Sequence, residues 1–201
     1  MEYYEVVIIG AGPAGLKCAE VLAKKGKKVL LLEKNSIFGD KTCAGGLTLK
    51  DLKLGIPDKI IQKKFNKVVL HTPLQDTDVE TGESFIATIN RKDLGKWMAS
   101  NAEKQGAEIR LNSQVVEINE KTIKIKDGTE IKYKYLVGAD GGSSIVRKYL
   151  GLKTINFEQA FQYITPKKFK NLELFLDPDK FGPSYLWIFP YKNSTSIGTE
   201  V

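Results

Sequence analysis

Residues 5–33 limit the fold more than any other stretch: an apolar run, a glycine-rich turn, a helical pattern and a second apolar run follow in that order. Val6, Val7, Ile8 and Ile9 form a continuous apolar segment, as expected of a strand buried on both faces of a parallel sheet. The run ends in Gly10-Ala11-Gly12-Pro13-Ala14-Gly15, which fits GxGxxG. Gly10 permits the tight turn, Gly12 lets the backbone approach a pyrophosphate, and Gly15 allows close packing of helix on strand. Pro13 suits the first helical turn, where its missing N–H has no intrahelical partner to lose. The helix continues through LKCAEVLAKK, with Leu16, Ala19, Val21, Leu22 and Ala23 available for burial and Gly26 as its stop. Val29 to Leu32 is the second strand, and Glu33 stands at its carboxyl end, 23 residues after Gly10. A carboxylate there accepts hydrogen bonds from ribose hydroxyls and disfavours a ribose 2′-phosphate. Gly10, Gly12, Pro13, Ala14, Gly15 and Glu33 are thus the predicted dinucleotide contacts, with FAD or NAD preferred over NADP.

The 201 residues suit one large domain or two small ones, long enough to bury a core. With 42% hydrophobic and 27% charged residues, disorder and small disulfide scaffolds are excluded. The net charge is +7, but Arg91, Arg110 and Arg147 are the only arginines. The surplus is scattered lysine with no arginine stripe, so no nucleic-acid partner is expected. It reads either as solvated surface or as a face that approaches an acidic membrane or an anionic substrate. Cys18 and Cys43 match no zinc or CxxC spacing, and His71 is the only histidine, so no metal site is expected. No apolar run approaches the ~18 residues of a bilayer span, and the start, MEYYEVVIIGAG, lacks the basic region and cleavage site of a signal peptide. The expectation is a reduced, cytoplasmic protein whose membrane contact, if any, is peripheral.

After Glu33, the passage Gly39-Asp40-Lys41-Thr42-Cys43-Ala44-Gly45-Gly46-Leu47 must turn sharply or approach a ligand. Two strand patterns follow, Lys67 to His71 and Ser84 to Ile89, separated by a threonine-rich turn region. His71 has no visible partner and reads as a structural or surface residue. Asn90 is an N-cap candidate for an amphipathic helix with Leu94, Trp97, Met98 and Ala102 on its buried face. Arg91 in its first turn opposes the helix macrodipole, which favours a functional reason for it. Gly106 ends the helix, and Glu108 to Leu111 is a further parallel strand. Residues 114–133 alternate apolar and polar around Asp127-Gly128, a hairpin signal, and read as a β-meander. Tyr135 to Gly138 is a buried strand ending in the turn Ala139-Asp140-Gly141, with Ser143 as cap of the next helix. From Gln159 the chain reads as short strands, Gln159 to Ile164, Leu172 to Leu176, Tyr185 to Phe189 and Thr195 to Val201. Tyr185, Trp187 and Phe189 alternate and share one face.

Several segments together resemble one family. VVIIGAGPAG with LLLEK, and LVGADGGSSIVR, are similar to the first two flavin motifs of FAD-dependent oxidoreductases related to p-hydroxybenzoate hydroxylase. KTCAGGL and PSYLWIFP are similar to segments of the geranylgeranyl reductase branch. The resemblance covers almost the whole chain and implies FAD as cofactor. It implies FAD contacts at Cys43, Ala44 and Gly46, at Arg91, at Val115 through its backbone toward the adenine, and at Asp140 and Gly141. It also implies a substrate cavity lined by Tyr185, Trp187 and Phe189, and leaves Cys43 a candidate for chemistry.

The predicted fold class is α/β: a Rossmann-like FAD-binding domain with a parallel sheet and β-meander, residues 1–48 and 90–152, and an antiparallel-sheet substrate domain, residues 49–89 and 153–201. The two strands of 49–89 are expected to join the last four in one sheet. The family's third motif, a strand followed by Gly-Asp and a helix, is absent before Val201. The chain stops within an apparent strand, implying an unpaired edge or unfinished sheet. That reads as the first portion of a longer enzyme, or one half of a split one that needs a second chain or a missing carboxyl-terminal segment.

The family implies hydride transfer from reduced FAD to the double bonds of an isoprenoid lipid or isoprenyl diphosphate, with electrons from a ferredoxin-like protein or NAD(P)H. The alternatives are an aromatic monooxygenase of the same superfamily and a non-catalytic FAD-binding half.

Overall fold

The computed structural model describes residues 1–153 and 159–200. In chain order its first elements are β1 (Glu2–Ile9), α1 (Pro13–Lys24), β2 (Val29–Leu32), β3 (Gly46–Thr48), α2 (Leu49–Leu52), β4 (Ile61–Phe65), β5 (Lys67–His71), β6 (Asp76–Glu80), β7 (Ile86–Ile89) and α3 (Arg91–Lys104). The remainder are β8 (Glu108–Arg110), β9 (Val115–Ile118), β10 (Thr122–Ile125), β11 (Glu130–Gly138), α4 (Ile145–Tyr149), β12 (Ala160–Thr165), β13 (Leu172–Phe175), α5 (Pro178–Phe181), β14 (Leu186–Pro190) and β15 (Thr195–Glu200). They form two units, Met1–Asp40 with Lys92–Phe157 and Lys41–Arg91 with Glu158–Val201.

In the first unit the apolar run of β1 is the centre of a six-stranded sheet ordered β8-β2-β1-β11-β10-β9. β1 pairs in parallel with both β2 and β11, and both faces of the strand are covered, so Val7 and Ile8 have no exposed surface. One face packs α1 and α3 through Leu16, Ala19, Ala23, Ala99 and Ala102, and the other is closed by the meander through Ile118, Ile123 and Ile131. Each fully buried Leu or Ile contributes about 1.5–3 kcal/mol. Val21, offered for burial by the helical pattern, lies 41% exposed. The expected separate strand 135–138 is the second half of β11. Its first residues pair antiparallel with β10, while the whole strand runs parallel to β1.

The second unit departs further from expectation. Its strands form two sheets, a six-stranded one ordered β12-β15-β14-β13-β5-β6 and a three-stranded one ordered β3-β7-β4. The two strand patterns of 49–89 therefore part company: β5 joins the large sheet and β7 the small one. The large sheet is antiparallel except for the parallel pair β13 and β5. The threonine-rich stretch read as a turn contains β6, a fully exposed edge strand whose side chains carry no periodic apolar signal. Residues 41–48, expected with the nucleotide domain, lie in the second unit because β3 pairs with β7. β15 is no open edge, since β12 and β14 flank it. The core of this unit gathers Phe65, Val68, Leu172, Trp187 and Phe189.

His71 has partners that its local sequence does not reveal. Nδ1 lies 2.8 Å from Asp76 and Nε2 3.3 Å from Glu173, and the ring stacks on Phe175 at 4.2 Å. All three sit on the same side of the sheet as His71, because β6 and β13 flank β5.

Candidate functional site

The register of the parallel strands builds the candidate site of the first unit. Ile9 pairs with Leu32 of β2 and with Gly138 of β11, so Gly10, Glu33 and Ala139 emerge side by side at the carboxyl ends of three strands. Ligands of open α/β sheets gather at that edge. Gly10 has φ +103, and a Cβ on it would stand 2.4 Å from the carbonyl oxygen of Ala139. A Cβ on Gly15 would stand 1.9 Å from the Gly10 carbonyl oxygen. Both glycines are thus fixed by backbone against backbone. Gly12 differs: a Cβ there meets nothing within 4 Å. The space beside Gly12 is where a ligand can lie.

Gly12 is also the N-cap of α1, without a side-chain cap and with no acidic residue in the first turn. The first-turn amides and the positive end of the helix dipole therefore remain available to an anion. Glu33 reaches toward this turn. Its Oε2 accepts from the Ala11 amide at 2.8 Å and its Oε1 from the Asn35 amide at 2.9 Å. A carboxylate has about four acceptor positions, so lone pairs remain for ribose hydroxyls. The clamp on Ala11 is a role that the spacing alone does not reveal.

At the third strand end, the Asp140 carboxylate is spent on the fold. It accepts from the Ser144 hydroxyl at 2.6 Å and from the amides of Ile145 at 2.7 Å and Val146 at 3.3 Å, which satisfies the start of α4. Ser144, not the expected Ser143, is the cap, its hydroxyl accepting from the Arg147 amide at 2.9 Å. The Arg147 guanidinium donates back to the carbonyls of Gly142 at 2.8 Å and Gly141 at 3.2 Å, closing the turn. Sequence reasoning missed Ser144 and Arg147: Ser143 and Ser144 are equally good cap residues, and the bond runs to a backbone amide that carries no side-chain signal. Val115 begins β9, three strands along from β1, and its side chain is core.

The remaining expected residues lie in the second unit or at its boundary. Arg91 is the first residue of α3, and its Nε is buried without a hydrogen-bond partner among the described residues. A buried donor without an acceptor marks a place where a polar group is wanted. Cys43, Ala44 and Gly45 form one short loop that runs into β3 at Gly46, and the Gly45 amide donates to Cys43 Sγ at 3.4 Å. Trp187 and Phe189 are buried, with Trp187 Nε1 donating to Ser196 Oγ at 3.0 Å, while Tyr185 is half-buried at the edge of the same cluster. Burial pushes the Tyr185 hydroxyl above the usual phenol range, helped by Glu200 and Cys43 nearby. It stays protonated at neutral pH. Among the described residues no three His, Cys, Asp or Glu converge on a metal position, and no helix is long and apolar enough to cross a membrane.

These features fit a dinucleotide with its pyrophosphate over Gly12 and its ribose at Glu33. Residues 3–182 match the family described as FAD binding domain. The chain belongs to that family. FAD is its cofactor, and in the first unit the open space at Gly12 and the uncapped helix suit that group. The FAD-binding chain is 30% identical to the digeranylgeranylglycerophospholipid reductase of Methanosarcina acetivorans over 94% of its own length and 52% of the relative. It is 28% identical to rifampicin monooxygenase of Streptomyces venezuelae over 74% of its length and 34% of the relative. Its fold matches a geranylgeranyl bacteriochlorophyll reductase-like protein of Thermoplasma acidophilum with a TM-score of 0.86, at 24% identity, covering 100% of this chain and 57% of that one. The chain spans about half the length of the curated reductases it matches.

Proposed function

We propose that this flavoprotein reduces the double bonds of an isoprenoid lipid or isoprenyl diphosphate. The observation that carries the reading is an aromatic wall whose half-buried rim is Tyr185 and whose buried backing is Trp187 and Phe189, gathered in one apolar cluster with Ala44 of the Cys43 loop. A long isoprenoid is recognised by burying methylenes, each worth about 0.8 kcal/mol, and such a wall does so with few hydrogen bonds. Bound FAD, once reduced, supplies a hydride to one alkene carbon. The chain's task is to hold the apolar substrate, exclude water and deliver a proton to the other carbon. Tyr185, kept protonated by burial, and Cys43 are the side chains of this unit suited to that delivery. Gly10, Gly12, Pro13, Ala14, Gly15, Glu33, Ala44, Gly46, Arg91, Val115, Asp140 and Gly141 hold the cofactor in this reading, Asp140 by shaping its turn. A ferredoxin-like protein or NAD(P)H supplies the electrons.

The similarity to a monooxygenase supports a second reading, oxygen insertion into an aromatic ring. One experiment separates the two. The chain, loaded with FAD and reduced chemically without oxygen, is incubated with digeranylgeranylglycerophospholipid. The reductase reading predicts lipid carrying two added hydrogens for each double bond reduced, with no oxygen requirement. Lipid left unreduced by a chain that retains flavin, together with oxygen-dependent NAD(P)H consumption on an aromatic substrate, would select the monooxygenase.

A further inference from the structure

KTCAGGL and PSYLWIFP lie far apart in the sequence, yet in the second unit they are one construction. Tyr191 stands just past β14, in the alternating row of Tyr185, Trp187 and Phe189. Its hydroxyl donates to the Ala44 carbonyl at 3.0 Å across a separation of 147 residues. Burial pushes that hydroxyl above the usual phenol range, so it remains a donor at neutral pH. The edge of the Phe189 ring lies over Gly46, where a Cβ would stand 2.7 Å from Cε2. Gly45 has φ +72; a Cβ on it would stand 2.3 Å from the Ile89 carbonyl oxygen and 3.0 Å from the Tyr191 hydroxyl. The Ile89 amide donates to the Gly45 carbonyl at 2.8 Å. Ala44, Gly45 and Gly46 are therefore each fixed from outside the loop, and the Gly45 amide in turn fixes Cys43 Sγ.

We propose that Tyr191 and Phe189 are positioning residues: they set the Cys43–Gly46 loop and thereby the place of the Cys43 thiol. The functional meaning of that position rests on the reading of the loop as a flavin contact, but the mechanical claim does not. It gives Phe189, the buried backing of the aromatic wall, a loop-supporting task as well. It also brings in Tyr191, which lies outside the resembled motif.

The test uses the full chain with Cys18→Ala, so that Cys43 is the only thiol. Its alkylation rate by iodoacetamide is compared with that of the same chain carrying Tyr191→Phe or Phe189→Leu, with Tyr149→Phe as control. Thermal melts run in parallel. Tyr191→Phe is expected to melt cooperatively and to alkylate roughly three- to tenfold faster, the change expected from one lost hydrogen bond. Phe189→Leu should shift the rate in the same direction, and Tyr149→Phe should leave it unaltered. An alkylation rate unchanged in both variants overturns the proposal. FAD titration of the same samples separates it from the functional reading: faster alkylation in a chain that binds no flavin upholds the positioning role and sinks the flavin contact. Flavin binding with unchanged alkylation does the reverse.

Discussion

Gly12 and Gly15 belong to one six-residue turn, yet a methyl group has opposite consequences at the two. At Gly15 it meets the Gly10 carbonyl at 1.9 Å, a contact that only backbone movement can relieve. Gly15→Ala is expected to lose about 3 kcal/mol of stability, measured by denaturant melts. At Gly12 it meets nothing, and the residue's φ of −71 suits any side chain. Gly12→Ala should stay within roughly 0.5 kcal/mol of the parent in stability, and its loss should appear in flavin affinity instead. Glu33→Ala removes both the ribose acceptor and the clamp on Ala11, so FAD affinity should fall by roughly 1.5–3 kcal/mol for each charge-assisted bond lost. The positions of these residues were legible in the sequence because strand, glycine turn, helix and acidic residue follow in fixed order. The clamp was not, since it depends on Ile9 and Leu32 pairing in register.

β8 is an edge strand of three residues, paired with β2 along its whole length. Side chains tie it further to β1: Arg110 donates to Glu2, and the Tyr4 hydroxyl donates to Glu108 at 2.6 Å, while Arg110 also donates to Glu108 within the strand. Burial pushes Tyr4 far above the usual phenol range, with Glu108 and Glu2 adding to it, so it remains a donor. For Glu2, the hydrogen bond from Arg110 is the main cause of a lowered carboxyl. For Glu108, burial raises the carboxyl, but bonds from Tyr4 and Arg110 outweigh it and the net direction is down. A carboxylate lowered in the folded state contributes stability above its unfolded value, near 4.5 here, and loses it as pH falls through the folded value. Arg110→Met should therefore lower the melting temperature at neutral pH and flatten its decline below about pH 4.5. Parallel curves for parent and variant would contradict the assignment. Nothing in the local sequence signals this network, because Glu2, Tyr4 and Glu108 meet only after β8 takes its place beside β2.

At the scale of the whole chain, the two units differ in how far sequence discloses them. The first was largely readable, because parallel strands joined by helices leave a local pattern of periodicities and stops. The second was readable as strands but not as sheets. Its order depends on β13 lying parallel to β5, across a separation such as the 102 residues between His71 and Glu173, and on β7 turning away to pair with β3 and β4. The partners of His71 were hidden for the same reason. The functional residues divide likewise: the glycine turn and Glu33 follow from local rules, whereas the hold of Tyr191 on the Cys43 loop exists only in the assembled second unit. The central claim is that the turn at Gly12, with Glu33 beside it, is the FAD site of this chain. It is tested most directly by titrating FAD into the purified chain and into Gly12→Ala, following flavin fluorescence, with melting curves to show that both are folded. Saturable binding by the parent and its loss in an equally stable variant is the predicted result. Equal binding by the two, or none by a folded parent, would contradict it.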